Sequence, residues 1–100
     1  MYNLKEEQLK NGWLIELNNQ ASINKGEATK LKAIKVSFNK HFNEYIMTYH
    51  GDFPEAQHGY FYSNKEFDLI NYFVKTISHA HDLKIRKMTR MQSKEIASLN

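Results

Sequence analysis

The sequence predicts an α+β domain: a short N-terminal helix, an antiparallel sheet of three to four strands, and a long amphipathic helix packed on one face of that sheet. Apolar residues alternate with polar ones in three separate runs, and a period of two is typical of half-buried strands. After residue 63 the apolar residues recur every three or four positions instead, which is the spacing of one helix face. With 100 residues, of which 41% are hydrophobic, the chain fits a single core. We expect one domain over residues 1–91 and a frayed tail over residues 92–100.

The N-terminal helix is predicted over residues 4–11. Asn3 and Glu6 have the spacing of a capping box, in which the Asn side chain accepts a hydrogen bond from a first-turn amide and the carboxylate reaches back. Gly12 suits the position after the helix, because a left-handed conformation costs least without a Cβ atom. A helix this short is unstable alone, so we expect it to dock through Leu4 and Leu9.

Three strands are predicted over residues 13–18, 31–38 and 44–50, and a turn at 39–43 joins the last two as a hairpin. The third strand has apolar residues on both faces, with Tyr45, Met47 and Tyr49 on one and Ile46 on the other. The pattern therefore leaves open which of its faces is buried. A fourth, short edge strand is predicted over residues 60–62.

The long helix is predicted over residues 64–81. Ser63 has the position of its N-cap and Glu66 that of the acid that closes a capping box. The residues predicted to form its buried stripe share helical spacing; they are Phe67, Ile70, Val74 and Ile77, with Phe73 widening the stripe. After Asp82 two structures fit the sequence. Residues 83–86 alternate as a strand would, whereas Leu83, Met88 and Met91 would also continue a helix.

The residue types argue against catalysis and against a bound cofactor or metal. The absence of cysteine excludes disulfides, zinc fingers and thiol catalysis. The sequence contains no phosphate-binding loop and no hydrolase motif, and it has only four glycines. His79 and His81 are two positions apart in a predicted helix, about 200° around its axis, and cannot grip one metal as an i, i+4 pair does. We expect no cofactor, no metal and no enzymatic activity.

Nothing in the sequence predicts a membrane partner. No apolar run reaches the roughly 18 residues that a spanning helix requires. The N-terminus is charged and lacks the apolar core of a signal peptide. We therefore expect a cytoplasmic location. We expect the protein to be a monomer or a homodimer.

Basic residues concentrate in two segments, 25–40 and 84–94, on either side of an acidic stretch. Residues 25–40 contain five lysines and one glutamate, a net charge of +4, and residues 83–94 contain five cations and no acid, a net charge of +5. Lys32 and Lys35 lie near Tyr45 and Tyr49 in the predicted hairpin, where rings flanked by cations could stack single-stranded bases. One hypothesis is therefore a small nucleic-acid-binding accessory protein.

A second hypothesis is contact with a protein or a ribonucleoprotein. Aromatic residues cluster around Pro54 and the predicted edge strand, and aromatic anchors with neighbouring charges are typical of protein interfaces. An edge strand there could also pair with a partner chain. The residues predicted to contact a partner are Phe53, Tyr60, Phe61 and Tyr62, with Lys84, Arg86, Lys87 and Arg90 of the second basic segment.

In size, in its lack of cysteine and catalytic motifs, and in its composition, the chain resembles small phage-encoded inhibitors. Twelve lysines, ten asparagines and eight isoleucines indicate an AT-rich gene. The helix–hairpin–helix layout over residues 3–82 is similar to that of anti-CRISPR proteins from phages of low-GC bacteria. The resemblance implies a non-catalytic protein of the bacterial host cell that occludes a host macromolecular machine. Because this chain is basic, it implies a blocked protein surface or nucleic-acid path rather than imitation of DNA.

Overall fold

A computed structural model describes residues 4–19, 31–51 and 61–91. These residues form two helices and five strands. In chain order they are α1 (Glu6–Lys10), β1 (Trp13–Asn18), β2 (Leu31–Asn39), β3 (Glu44–Gly51), β4 (Phe61–Asn64), α2 (Phe67–Ala80) and β5 (Lys84–Arg90). The α+β class is confirmed. The polar segments 18–29 and 51–59 are predicted to be loops, but Asn18 belongs to β1 and Gly51 to β3. Residues 20–29 and 52–59 and the predicted tail at 92–100 lie outside the described residues, as do Asn3, Phe53 and Tyr60.

The five strands form one antiparallel sheet in the order β4-β3-β2-β1-β5. The prediction of three to four strands was therefore one strand too few, and the additional strand is β5. The hairpin between β2 and β3 is confirmed, with Phe38 opposite Tyr45 and Asn39 opposite Glu44 at its end. Strands β4 and β5 are the two edges of the sheet, and α2 connects one edge to the other.

Both helices pack on the same face of the sheet, where the main core lies. Side chains of β1, β2 and β3 meet Leu9 of α1 and Ile70 and Val74 of α2 in this core. Tyr45 and Met47 belong to it, which answers the question of which face of β3 meets the helices. Each fully buried aliphatic side chain of this kind contributes roughly 1.5–3 kcal/mol to folding. On the other face Ile46 and Ser37 are buried as well.

The predicted start of the long helix was wrong. Ser63 is not an N-cap, because it belongs to β4 and lies opposite Ile46 of β3. The helix begins at Phe67 after Glu66, which makes no side-chain capping hydrogen bond. The turn between strand and helix is held by Asn64 instead, whose Oδ1 accepts from the backbone N–H of Glu66 at 2.8 Å. Pairing with β3 therefore prevailed over the local capping signal.

The predicted buried stripe of the long helix is confirmed at its centre and corrected at its margin. Ile70 and Val74 are fully buried, and Phe67 and Ile77 pack partly against the core. Phe73, expected to widen that stripe, is 38% exposed. At the short helix the first residue is Glu6, its N-cap is Lys5, and the cap carries no side-chain hydrogen bond.

The chain after α2 is a strand and not a continuing helix. His81 ends α2, and Asp82 has a positive φ of 53°, which turns the chain back. Leu83 is buried, and its N–H donates to the carbonyl of Ser78 at 2.8 Å. Strand β5 then pairs with β1 along its length. Beyond it, the N–H of Met91 donates to the carbonyl of Gly12 at 2.8 Å.

Candidate functional site

Strand β5 collects the four basic residues that the sequence predicted to contact a partner. Lys84, Arg86, Lys87 and Arg90 are all exposed, and the seven residues of the strand include no acid. Among the described residues only β1 pairs with this strand, which makes β5 an edge of the described sheet. We call these four side chains the basic edge.

A β-bulge in β5 changes which face of the sheet the side chains of the basic edge lie on. Glu16 lies opposite Lys87 and Leu17 lies opposite Ile85, so Arg86 is an extra residue on β5. Bulges at sheet edges increase the local twist and interrupt regular pairing. Lys87 shares the face turned away from the helices with Glu16, whereas Arg90 lies opposite Trp13, at a register position on the helix-covered side. The cations therefore lie on both sides of this edge strand.

The acid nearest in register to the basic edge is engaged by other groups. Glu16 Oε2 lies 3.8 Å from Lys35 Nζ on β2, and Glu16 Oε1 accepts from Asn18 Nδ2 at 3.3 Å. A charge row thus crosses three strands in the order Lys87, Glu16, Lys35. Glu16 therefore lies between two lysines, and the row keeps a net positive charge.

A second exposed surface lies at the other side of the molecule, where α2 passes β4. The rings of Tyr62 and Phe73 have centroids 5.2 Å apart, and those of Phe73 and Tyr72 are 5.8 Å apart, both edge-on. Tyr72 is 64% exposed, and Leu69 beside it on the helix is also exposed. We call Tyr62, Leu69, Tyr72 and Phe73 the aromatic surface. Contiguous apolar side chains of this kind mark interaction sites on soluble proteins.

The structure places only part of the aromatic cluster predicted from the sequence. Tyr62 is half-buried, lies opposite Met47 on the helix-covered side, and accepts from Asn64 Nδ2 at 3.1 Å. The backbone of Phe61 pairs with Thr48. The sequence reasoning missed Leu69 and Tyr72 altogether. The signal that could have found them is a second stripe at 69, 72, 73 and 76, beside the buried one on α2.

The structure excludes Tyr45 from the base-stacking surface predicted for the hairpin. Tyr45 is only 2% exposed and packs edge-on against Phe67, on the face that the helices cover. Lys35 lies in register with Thr48 on the opposite face. Burial raises the pKa of the Tyr45 hydroxyl, and the hydrogen bond from Lys10 to Glu6 raises the pKa of Lys10 beside it. This tyrosine is therefore part of the core and is unable to stack a base.

Among residues 4–19, 31–51 and 61–91, no group of three or more histidines and acids lies close enough to hold a metal ion. His79 and His81 are exposed at the end of α2, and His50 Nε2 lies 3.1 Å from Thr48 Oγ1. Neither helix is long and apolar enough to cross a membrane within those same ranges. Comparison of the chain with protein-family models, with curated proteins and with solved structures finds no match.

Proposed function

We propose that this chain is a non-catalytic binding protein that docks on another protein through the aromatic surface and inhibits that protein by occluding it. The observation that carries the proposal is the exposure of Tyr72, 64%, at the end of a series of three rings in edge contact. Tyrosine is among the residues that contribute most binding energy at protein interfaces. An isolated exposed ring needs no explanation, but three contiguous rings beside an exposed leucine do.

The spacing of the exposed residues on α2 specifies the kind of partner. Leu69, Tyr72, Phe73 and Thr76 occupy positions i, i+3, i+4 and i+7 of the helix. This is the arrangement with which an amphipathic helix lies in an apolar groove of a partner. The opposite side of α2 is held on the sheet by Ile70 and Val74, so the helix is already ordered before it binds. Binding therefore costs little conformational entropy.

The charges around the aromatic surface fit the rim of a protein interface. Asp68 and Lys75 are exposed on α2 at either end of Tyr72, four residues before it and three after it. An apolar centre with charged residues of both signs at its margin is the usual anatomy of such interfaces. We expect the partner's groove to carry complementary charges at its two ends.

Inhibition is proposed from the resemblance to phage-encoded inhibitors and from simple exclusion. A protein of 11.8 kDa that is bound in the partner's groove prevents any other ligand from binding there. The expected partner is a protein or ribonucleoprotein of the host cell. This mechanism requires no reacting group on the inhibitor itself.

Site-specific photocrosslinking tests the proposal. A benzophenone amino acid replaces Tyr72 in one variant and Phe42 in a matched control, since Phe42 is 59% exposed in the turn between β2 and β3. We expect one crosslinked protein from cells of the source organism at position 72 and none at position 42. The purified partner is then titrated with the unmodified chain, with Tyr72→Ala and with Phe42→Ala. Loss of a central tyrosine weakens binding about 30-fold or more, whereas the control keeps the original affinity.

Two outcomes would overturn this function. A position-72 crosslink that forms only between two copies of the chain would make the aromatic surface a dimer interface. A partner that binds through Tyr72 but keeps its full activity when saturated would exclude inhibition by occlusion.

A further inference from the structure

We propose that the basic edge on β5 is a separate binding site for the sugar-phosphate backbone of a nucleic acid, and that it binds without regard to base sequence. This inference does not depend on the partner of the aromatic surface. It rests on the exposure of the four cations of the basic edge, on their positions on both sides of an edge strand of the described sheet, and on the sharing of Glu16 between Lys87 and Lys35.

The density of charge on β5 matches a phosphate chain. At about 3.3 Å per residue the strand extends over roughly 20 Å from Lys84 to Arg90. One nucleic-acid strand of a duplex carries a charge about every 3.4 Å along the axis, so this length faces roughly six phosphates. Four cations over that length leave few phosphates without a neighbour of opposite charge. Arginine and lysine at such spacing supply the sequence-independent part of nucleic-acid affinity.

The positions of the cations favour an elongated ligand that lies along the edge of the sheet. They fit less well a partner with a flat surface that contacts only one face of the sheet. Lys84 and Lys87 lie opposite Asn18 and Glu16, on the side away from the helices. Arg90 lies opposite Trp13, at a register position on the other side, and Arg86 is the extra residue of the bulge. A phosphate chain along the edge would have cations on both flanks. A flat acidic surface would meet only half of them.

Among the described residues, the acids nearest to the four cations of β5 in register and along the chain are Glu16 and Asp82. Glu16 is the residue opposite Lys87, but its carboxylate is 3.8 Å from Lys35 Nζ and accepts from Asn18. Asp82 is exposed in the turn before the strand.

Strand pairing is a poorer use of this edge. A second copy of β5 would set four cations against four, and like charges across strands destabilise pairing. The bulge at Arg86 also interrupts the regular edge that an added strand needs. Tyr45 is buried in the core, so this ring is unable to stack on a base near β5. Backbone contact alone therefore predicts weak sequence preference.

The test measures salt dependence. Labelled 20-nucleotide single strands and 20-base-pair duplexes of two unrelated sequences are titrated with the full chain between 50 and 200 mM salt. Four phosphate contacts give a slope of about −2.8 to −3.6 in a plot of log K against log salt, a loss of roughly 50- to 150-fold over this range. We expect equal affinities for the two sequences. The double variant Arg86→Gln/Lys87→Gln should reduce the slope by about 1.4 to 1.8.

The matched control is Lys5→Gln/Lys40→Gln, which removes the same charge from two exposed lysines on other elements. Circular dichroism melts of all variants check that each one folds. The proposal fails if the control lowers the slope as much as the β5 variant does, since net charge alone would then explain binding. It also fails if no oligonucleotide binds at 50 mM salt. Competition by polyglutamate as effective per charge as by polythymidylate would show that the edge takes acidic proteins instead.

Discussion

Glu16 of β1 lies opposite Lys35 of β2, and their side chains form an ion pair of 3.8 Å on the sheet face away from the helices. The same carboxylate accepts from Asn18 at 3.3 Å. The pair therefore does two things at once. It joins two neighbouring strands, and it places the acid closest in register to β5 between two lysines.

Replacing Glu16 by Gln should cost little stability. Both side chains are partly exposed, and ion pairs of this kind contribute up to about 1 kcal/mol. The amide oxygen of Gln can still accept from Asn18. We expect the free energy of unfolding in urea to fall by less than about 1 kcal/mol. Oligonucleotide affinity should rise, because an acid is removed beside β5.

The control for this change is Glu7→Gln, an exposed acid on α1. If both variants raise the affinity for oligonucleotides equally, the effect is one of net charge, and Glu16 has no particular role at the basic edge.

Ser78→Ala should stabilise the protein. Ser78 is 2% exposed on α2, and its Oγ has no hydrogen-bond partner within the described part of the chain. A buried hydroxyl without a partner costs about 1–3 kcal/mol, and alanine also has the higher helix propensity. We expect a gain of roughly 1 kcal/mol in the free energy of unfolding, measured by urea denaturation. Thr76→Ala on the exposed side of α2 changes the helix propensity but removes a hydroxyl that already donates to Tyr72, so its gain should be smaller. A loss of stability in Ser78→Ala would mean that the hydroxyl is satisfied.

Gly12→Ala should destabilise the connection between α1 and β1. Gly12 has a φ of 90°, a region that residues with a Cβ atom rarely adopt. The nearest atom to an added Cβ is the carbonyl oxygen of Met91 at 3.8 Å, an ordinary contact, so the cost comes from the backbone alone. We expect a loss of about 1–2 kcal/mol in a thermal or urea melt. An unchanged melt would show that the turn relaxes to a negative φ.

High pH should weaken the fold through Tyr45. Burial raises the pKa of this hydroxyl, so above pH 10 the folded state holds a proton that the unfolded state has released. Stability from this group is complete below the unfolded pKa near 10 and falls as the pH rises further. We expect the free energy of unfolding to decrease between pH 9.5 and 11. Tyr45→Phe should decrease less over the same interval, and equal decreases in both proteins would exclude this origin.

The fold was predictable where local patterns and long-range pairing agree. In β1, β2 and β3 the apolar residues alternate, and in each case one face of the strand is buried against the helices. Strand β5 was harder, because its partner β1 is some seventy residues earlier in the chain and Arg86 interrupts the alternation with a bulge. Its exposed cations also hide the two apolar positions, Ile85 and Met88, that face the core side.

The candidate sites were predictable only in outline. The basic residues of β5 stood out in the sequence because no acid interrupts them, and a charge run needs no fold to be recognised. The aromatic surface required the fold. Phe73 has the spacing of either stripe of α2, and only the docking angle on the sheet determines that it turns outward. Tyr62 joins it because β4 lies beside the helix.

Tyr72 and Ile70 lie two residues apart on α2, and truncation to alanine should cost much less stability at Tyr72 than at Ile70. Ile70 is fully buried, so Ile70→Ala leaves a cavity and should cost about 2–5 kcal/mol. Tyr72 is 64% exposed and loses mainly its edge contact with Phe73, so Tyr72→Ala should cost less than about 1 kcal/mol. Urea denaturation of both variants measures the difference. A cost for Tyr72→Ala near that of Ile70→Ala would assign the tyrosine to the core, and its effect on partner binding could then no longer be separated from folding.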